Sequence, residues 1–147
     1  MTDRAYRTVG CTIVLACLVF WTIFIFFVVE VAFGAEPAIV LDRYEVSVQF
    51  EIDGVTREAG VSERSHNSVL FHWFNEKNYE VLFKMVDACE PFGQVWVLIS
   101  SASNITHHIS VTDQHIGHEY VYVMKKDENG DMFPIIDTER WKCDAAR

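Results

Sequence analysis

From Tyr44 to Ile52, the apolar residues Tyr44, Val46, Val48, Phe50 and Ile52 alternate with Glu45, Ser47, Gln49 and Glu51. A period of two puts successive side chains on opposite sides of an extended chain. This stretch is therefore a strand with one buried and one wet face, a pattern no helix satisfies. Asp53-Gly54 follows and supplies the positive backbone angles of a tight hairpin turn, so Val55 to Glu58 returns antiparallel.

The same alternation recurs along the chain. Ser68 to Phe74 sets Val69, Phe71 and Trp73 on one face, and Tyr79 to Val86 does the same with Val81, Phe83 and Met85. Phe92 to Ile99 is nearly all apolar after Gln94 and reads as a central strand. Ile105 to Thr112 and His118 to Met124 form a hairpin around Asp113-Gln114-His115-Ile116-Gly117. Asn129-Gly130 marks a further hairpin turn, and Phe133 to Ile136 a short last strand. Ser62 to Asn67 reads as a loop, Ala35 to Leu41 as a short tether. Short strands separated by turn signals predict an all-β fold, an antiparallel β-sandwich of the immunoglobulin-like kind, preceded by one N-terminal hydrophobic helix.

That helix is predicted from Val9 to Val29, 21 residues without a charge. At 1.5 Å per residue it spans roughly 30 Å, the thickness of a bilayer core. Arg4 and Arg7 precede it, while Glu30, Glu36 and Asp42 lie beyond it and no basic residue recurs before Arg43. The charge asymmetry places the N-terminus in the cytoplasm and the rest outside. Residues 1–35 are therefore read as a signal peptide or signal anchor, and 36–147 as an extracytoplasmic domain. The length favours a retained membrane anchor; Ala32-Phe33-Gly34, with small residues where a signal peptidase inspects them, favours cleavage and release to the periplasm or medium.

The net charge of −9 resides in the domain, whose 19 Asp and Glu face 10 Lys and Arg. A chain so acidic, with no basic cluster, repels phosphate backbones and anionic membrane surfaces, which excludes nucleic acid as an expected partner. Only Cys89 and Cys143 lie in the domain. Two cysteines in an oxidising compartment are expected to pair, the other reading being two buried thiols.

Candidate chemistry is sparse. His107, His108, His115 and His118 fall within 12 positions, near Asp113 and Glu119. Adjacent His107 and His108 point to opposite faces of a strand, so they do not converge on one metal as zinc requires. His107 shares a face with Ile105, Ile109 and Val111 and is a candidate core histidine; His115 and His118 flank a turn and can meet. Asp127-Glu128-Asn129-Gly130-Asp131 begins like a calcium loop but lacks its Gly and Glu, having Met132 and Thr138 at those positions. There is no G-x-S-x-G elbow around Ser100-Ser101. No catalytic, cofactor-binding or metal residue is assigned. Most aromatics fall on apolar strand faces, so core packing is the default reading; Tyr120 and Tyr122 share one strand face, and only an exposed subset of aromatics would form a protein- or glycan-binding platform.

Phe74, Asn78, Glu80 and Lys84, then Val86, Asp87 and Cys89, are followed by Gly93, Trp96 and Val97, by Val111, Thr112 and Asp113, and by Pro134, Asp137, Thr138 and Cys143. This pattern resembles a β-sandwich domain family of exported bacterial proteins, in which the domain stands alone or is appended to other secreted modules. Ala88 replaces the Gly that the family has before the first cysteine. The resemblance covers about half of the chain. It implies a sandwich and a Cys89–Cys143 bridge, and no catalytic residue.

The leading expectation is an exported, non-catalytic β-domain with a binding or structural role toward an envelope or extracellular protein or glycan. The membrane is a further partner through Val9 to Val29 if that segment is uncleaved. One alternative is a small metal-dependent or hydrolytic enzyme using His115 and His118. The other is a secreted peptidase inhibitor presenting Glu58 to Asn67 as a rigid loop.

Overall fold

The computed structural model describes residues 37–143; the expected export segment Val9 to Val29, with Arg4, Arg7, Glu30 and Glu36 around it, lies outside the described residues. Ten strands and one helical turn follow in order: β1 (Ala38–Val40), β2 (Tyr44–Ile52), β3 (Val55–Glu58), β4 (Gly60–Arg64), β5 (Ser68–His72), β6 (Val81–Ala88), α1 (Cys89–Phe92), β7 (Gln94–Ser101), β8 (His107–Asp113), β9 (His118–Met124) and β10 (Ile135–Lys142). All pairings are antiparallel. The first sheet runs β1-β2-β8-β9, with β3 also on β2; the second runs β10-β7-β6-β5-β4.

The two sheets share one core. Val46, Val48 and Phe50 of β2 and Ile109 and Val111 of β8 come from the first; Val69, Phe71, Phe83, Met85, Val97 and Ile99 come from the second. These are the alternate positions the period-two pattern selects, and the all-β expectation holds for the described residues. Asp53 and Gly54 adopt φ of 52° and 75°, as the tight β2–β3 turn requires.

Several boundaries differ from the sequence reading. The expected tether contains β1, whose Ala38 and Val40 are fully buried opposite Val46 and Tyr44. The expected Ser62 to Asn67 loop, and with it most of the proposed inhibitory segment, is strand β4 followed by a tight turn closed by Ser65 N–H to Ser68 O at 2.7 Å. The chain changes sheets at buried Ala59, so β3 and β4 are one continuous crossing rather than a loop. A Cβ at position 60 would lie 2.4 Å from the His72 ring, so Gly60 leaves room for that ring where Ser62 holds it. The last strand is also twice as long as expected and bulges between Asp137 and Trp141, which hides its alternation. The Asn129-Gly130 turn exists, held by Asp127 accepting N–H bonds from Asn129 and Asp131. It links β9 to β10 across the two sheets and is not a hairpin of paired strands. Phe92 belongs to α1, and β7 starts at Gln94.

Two covalent and ionic ties close one end. Cys89 and Cys143 form a disulfide with a Cα–Cα distance of 5.7 Å, which fastens the end of β10 to α1. A closed loop of that length stabilises the fold by about 4 kcal/mol in the chain-entropy picture. Arg43 donates from Nε and Nη2 to the two carboxylate oxygens of Asp113, at 2.7 and 2.5 Å, with both side chains buried. Asp113 also accepts the N–H of His115, and Gln114 donates its N–H to Arg43 O. The pair therefore binds the β8–β9 turn to the start of β2. Burial pushes the Asp113 carboxyl up, but the Arg43 bonds and the backbone N–H groups hold it below the usual carboxylate range.

His107 is the core histidine the pattern suggests. It is wholly buried and its Nδ1 lies 2.7 Å from Ile105 O, so Nδ1 carries the proton and donates. Nε2 has no hydrogen-bond partner among the described residues, and the ring lies 5.3 Å from that of Trp73. Burial, and secondarily the His108 charge, lower its pKa against the raising effect of the Ile105 bond. The unfolded chain thus binds a proton that the folded chain refuses. Stability from this site is complete above the unfolded pKa of about 6.5 and is lost as pH falls through the interval down to the folded value. Denaturant midpoints between pH 7.5 and 5 should fall more steeply in the wild type than in His107→Gln, by up to about 1.4 kcal/mol per pH unit. Parallel slopes would contradict a neutral buried ring.

Candidate functional site: the cleft between β9 and β10

β9 is the outer strand of the first sheet and β10 the outer strand of the second. On this flank the two sheets end side by side, leaving a cleft of about 640 Å³ lined by residues 120, 122, 123 and 135–140. That volume lies in the range of ligand-sized clefts.

The alternation of β9 turns Tyr120, Tyr122 and Met124 toward the second sheet and leaves Glu119, Val121 and Val123 exposed on the outer face. The bulge of β10 supplies the opposite wall. It turns Asp137 back on its own strand, where Oδ1 accepts the N–H groups of Glu139 and Arg140 at 3.1 Å each. Oδ2 accepts from Tyr122 Oη at 2.8 Å and from Arg140 Nε at 3.0 Å. Trp141 Nε1 donates to Tyr122 Oη at 2.8 Å. The Arg140 guanidinium lies 3.5 Å over the Tyr120 ring, a close cation–π contact.

These bonds set the protonation states. Burial first, then the Asp137 bond, push the Tyr122 hydroxyl above its ordinary range despite the opposing Trp141 bond. Burial raises Asp137, but the bonds from Tyr122, the backbone and Arg140 outweigh it and hold the carboxylate ionised. Tyr122 thus gives its only proton to Asp137 and accepts the indole N–H. The convergent polar groups are engaged with one another, which ties the two sheet edges together. Of the lining residues, Val123 and Ile136 remain 46 and 67% exposed; Val121, on the outer face of β9, is 40% exposed.

The histidines are distributed over four environments. His107 is in the core; His108 faces outward, opposite Gln49 and Val123. His115 lines a smaller cavity of about 320 Å³ at the disulfide end, with Asp42, His66 and Asp87. His118 is exposed and meets Trp141 edge-on at 5.5 Å. Among the described residues the cluster with three potential metal donors is Asp87, Cys89 and Cys143, and it contains no histidine. Its two sulfurs are bonded to each other, so neither is the thiolate that a metal ligand requires. The Asp127 turn uses its carboxylate on backbone N–H groups, as a loop cap.

The shared face of Tyr120 and Tyr122 was legible in the sequence. Asp137, Arg140 and Trp141 were not, because the bulge that gathers them breaks the alternation. The only signal is an Asp three residues before an Arg beside a tryptophan. No known protein family, curated protein or solved structure matches the chain.

If Tyr122 is the tie between the edges, Tyr122→Phe removes a donor to Asp137 and the acceptor for Trp141. Leaving buried polar groups unsatisfied costs about 1–3 kcal/mol. A urea titration should show that loss with the disulfide intact; an unchanged midpoint would mean the network contributes nothing.

Proposed function

We propose that residues 36–147 are an exported, immunoglobulin-like sandwich domain that docks an extended polypeptide segment at the β9–β10 flank and performs no catalysis. The observation that carries this reading is the state of the cleft. Tyr122, Asp137, Arg140 and Trp141 bond to one another, while its rim offers exposed valine and isoleucine side chains and strand edges that have no neighbouring strand among the described residues. Such an edge pairs with an added strand through main-chain hydrogen bonds, and flanking pockets choose the side chains. A nucleophile awaiting a base, or an ionisable group poised near neutrality, is the mark of chemistry; Tyr122 is pushed up and Asp137 down, away from neutrality.

The location outside the cytoplasm is supported by the charge asymmetry about Val9 to Val29 and by the disulfide, which persists in oxidising compartments. The resemblance of Phe74 to Cys143 to exported β-sandwich domains supports the same reading.

Lys125 and Lys126 sit directly after β9 and offer attachment points for an amine-reactive cross-linker. In intact cells carrying the full chain, cross-links from these lysines to a polypeptide partner are expected. They should be lost in Val121→Glu/Val123→Glu while that variant still unfolds in one cooperative transition. Persistence of the cross-links in that variant would contradict docking at this flank. So would hydrolysis of an ester, peptide or glycoside panel that disappears in His115→Ala/His118→Ala.

A further inference from the structure

The edges of the two sheets are not equally protected. β1 has three residues and β3 four; β4 has five and a register shift; β10 is bulged. These are the devices by which natural sheets blunt an edge. β9 carries none of them. It has seven residues, pairs with β8 in unbroken register from His118 to Met124, and contains no proline. Its outer face shows two exposed valines, although a protected edge presents an inward charge or a lysine in such places.

The sequence of β9 is complementary to itself. If two copies lie antiparallel with Tyr122 opposite Tyr122, Val121 faces Val123 on the outer side, and Glu119 faces Lys125, the next residue of the same alternation. By symmetry each pair occurs twice. On the inner side Tyr120 faces Met124, so that side remains apolar. Shifting by two residues one way sets Glu119 opposite Val123; shifting the other way sets it opposite Asp127. Shifts by one exchange the buried and exposed faces. Among these neighbouring registers, the Tyr122-centred one joins opposite charges and like apolar groups together.

We propose that the occupant of the β9 edge is a second copy of this chain, paired antiparallel about Tyr122 so that the first sheet runs continuously through a two-fold dimer. This rests on the docking reading of the flank and names its partner. A two-fold contact of this kind is isologous and closes, so it uses the edge without propagating a fibre.

The test uses the full chain in detergent, with mass measured by light scattering over a concentration series. The wild type should populate a dimer. Lys125→Glu sets Glu119 against a glutamate at both symmetric positions and should weaken association about tenfold. Glu119→Lys should do the same. The exchange Glu119→Lys/Lys125→Glu should restore the wild-type constant, which no merely structural role of either residue would produce. Both positions are exposed, so at concentrations low enough for every protein to be monomeric the melting temperatures should match. A double variant no tighter than Lys125→Glu overturns the proposal, as does a wild type that stays monomeric. A monomeric wild type that still cross-links from Lys125 to another protein, in a manner abolished by Val121→Glu/Val123→Glu, overturns the second copy and leaves docking at the flank intact. A monomer without such cross-links overturns both.

Discussion

Backbone amides and carbonyls of a strand point alternately to its two sides, and among the described residues β9 has a neighbouring strand on one side only. In water that imbalance is tolerable, yet it makes the strand a template for another chain. Much of the surrounding structure bears on how this edge is held. The Arg43–Asp113 pair fixes the turn that delivers β9, the Tyr122 network holds it against β10, and the disulfide anchors the far end of β10. A flexible edge would lose conformational freedom on pairing; one held on a bonded scaffold has already given it up.

The same bonds bear on the docking role proposed for the cleft. Chemistry at neutral pH needs groups displaced toward that pH and left free to act. Here burial and hydrogen bonding drive Tyr122 upward and Asp137 downward, away from neutrality, and bind them to each other. The four histidines near residues 107–118 are close in sequence but separated by strand alternation, the core and the β8–β9 turn. One is sealed inside the protein as a neutral ring.

Much of the fold was legible because alternation is a local signal. β2, β3 and β9 were readable to the residue, and β5, β6 and β8 to within two residues at each end. What escaped depended on distant partners. β1 is three residues long and is a strand because Ala38 and Val40 find Val46 and Tyr44. β4 loses its period at the register shift between Val61 and Glu63, and β10 at the bulge after Asp137. Arg43 and Asp113 lie 70 residues apart, and nothing in either neighbourhood names the other. The cleft follows the same division: Tyr120 and Tyr122 declared a common face, while Asp137, Arg140 and Trp141 come together only through tertiary geometry.

The free amides of β9 provide the most direct measurement. Hydrogen exchange of the full chain should show alternate β9 amides, those directed away from β8, protected in the wild type. They should exchange faster in Lys125→Glu, by up to about tenfold, while β8 and β2 stay unchanged. Equal, rapid exchange of those amides in both proteins would mean that no strand covers the edge and would contradict the central claim.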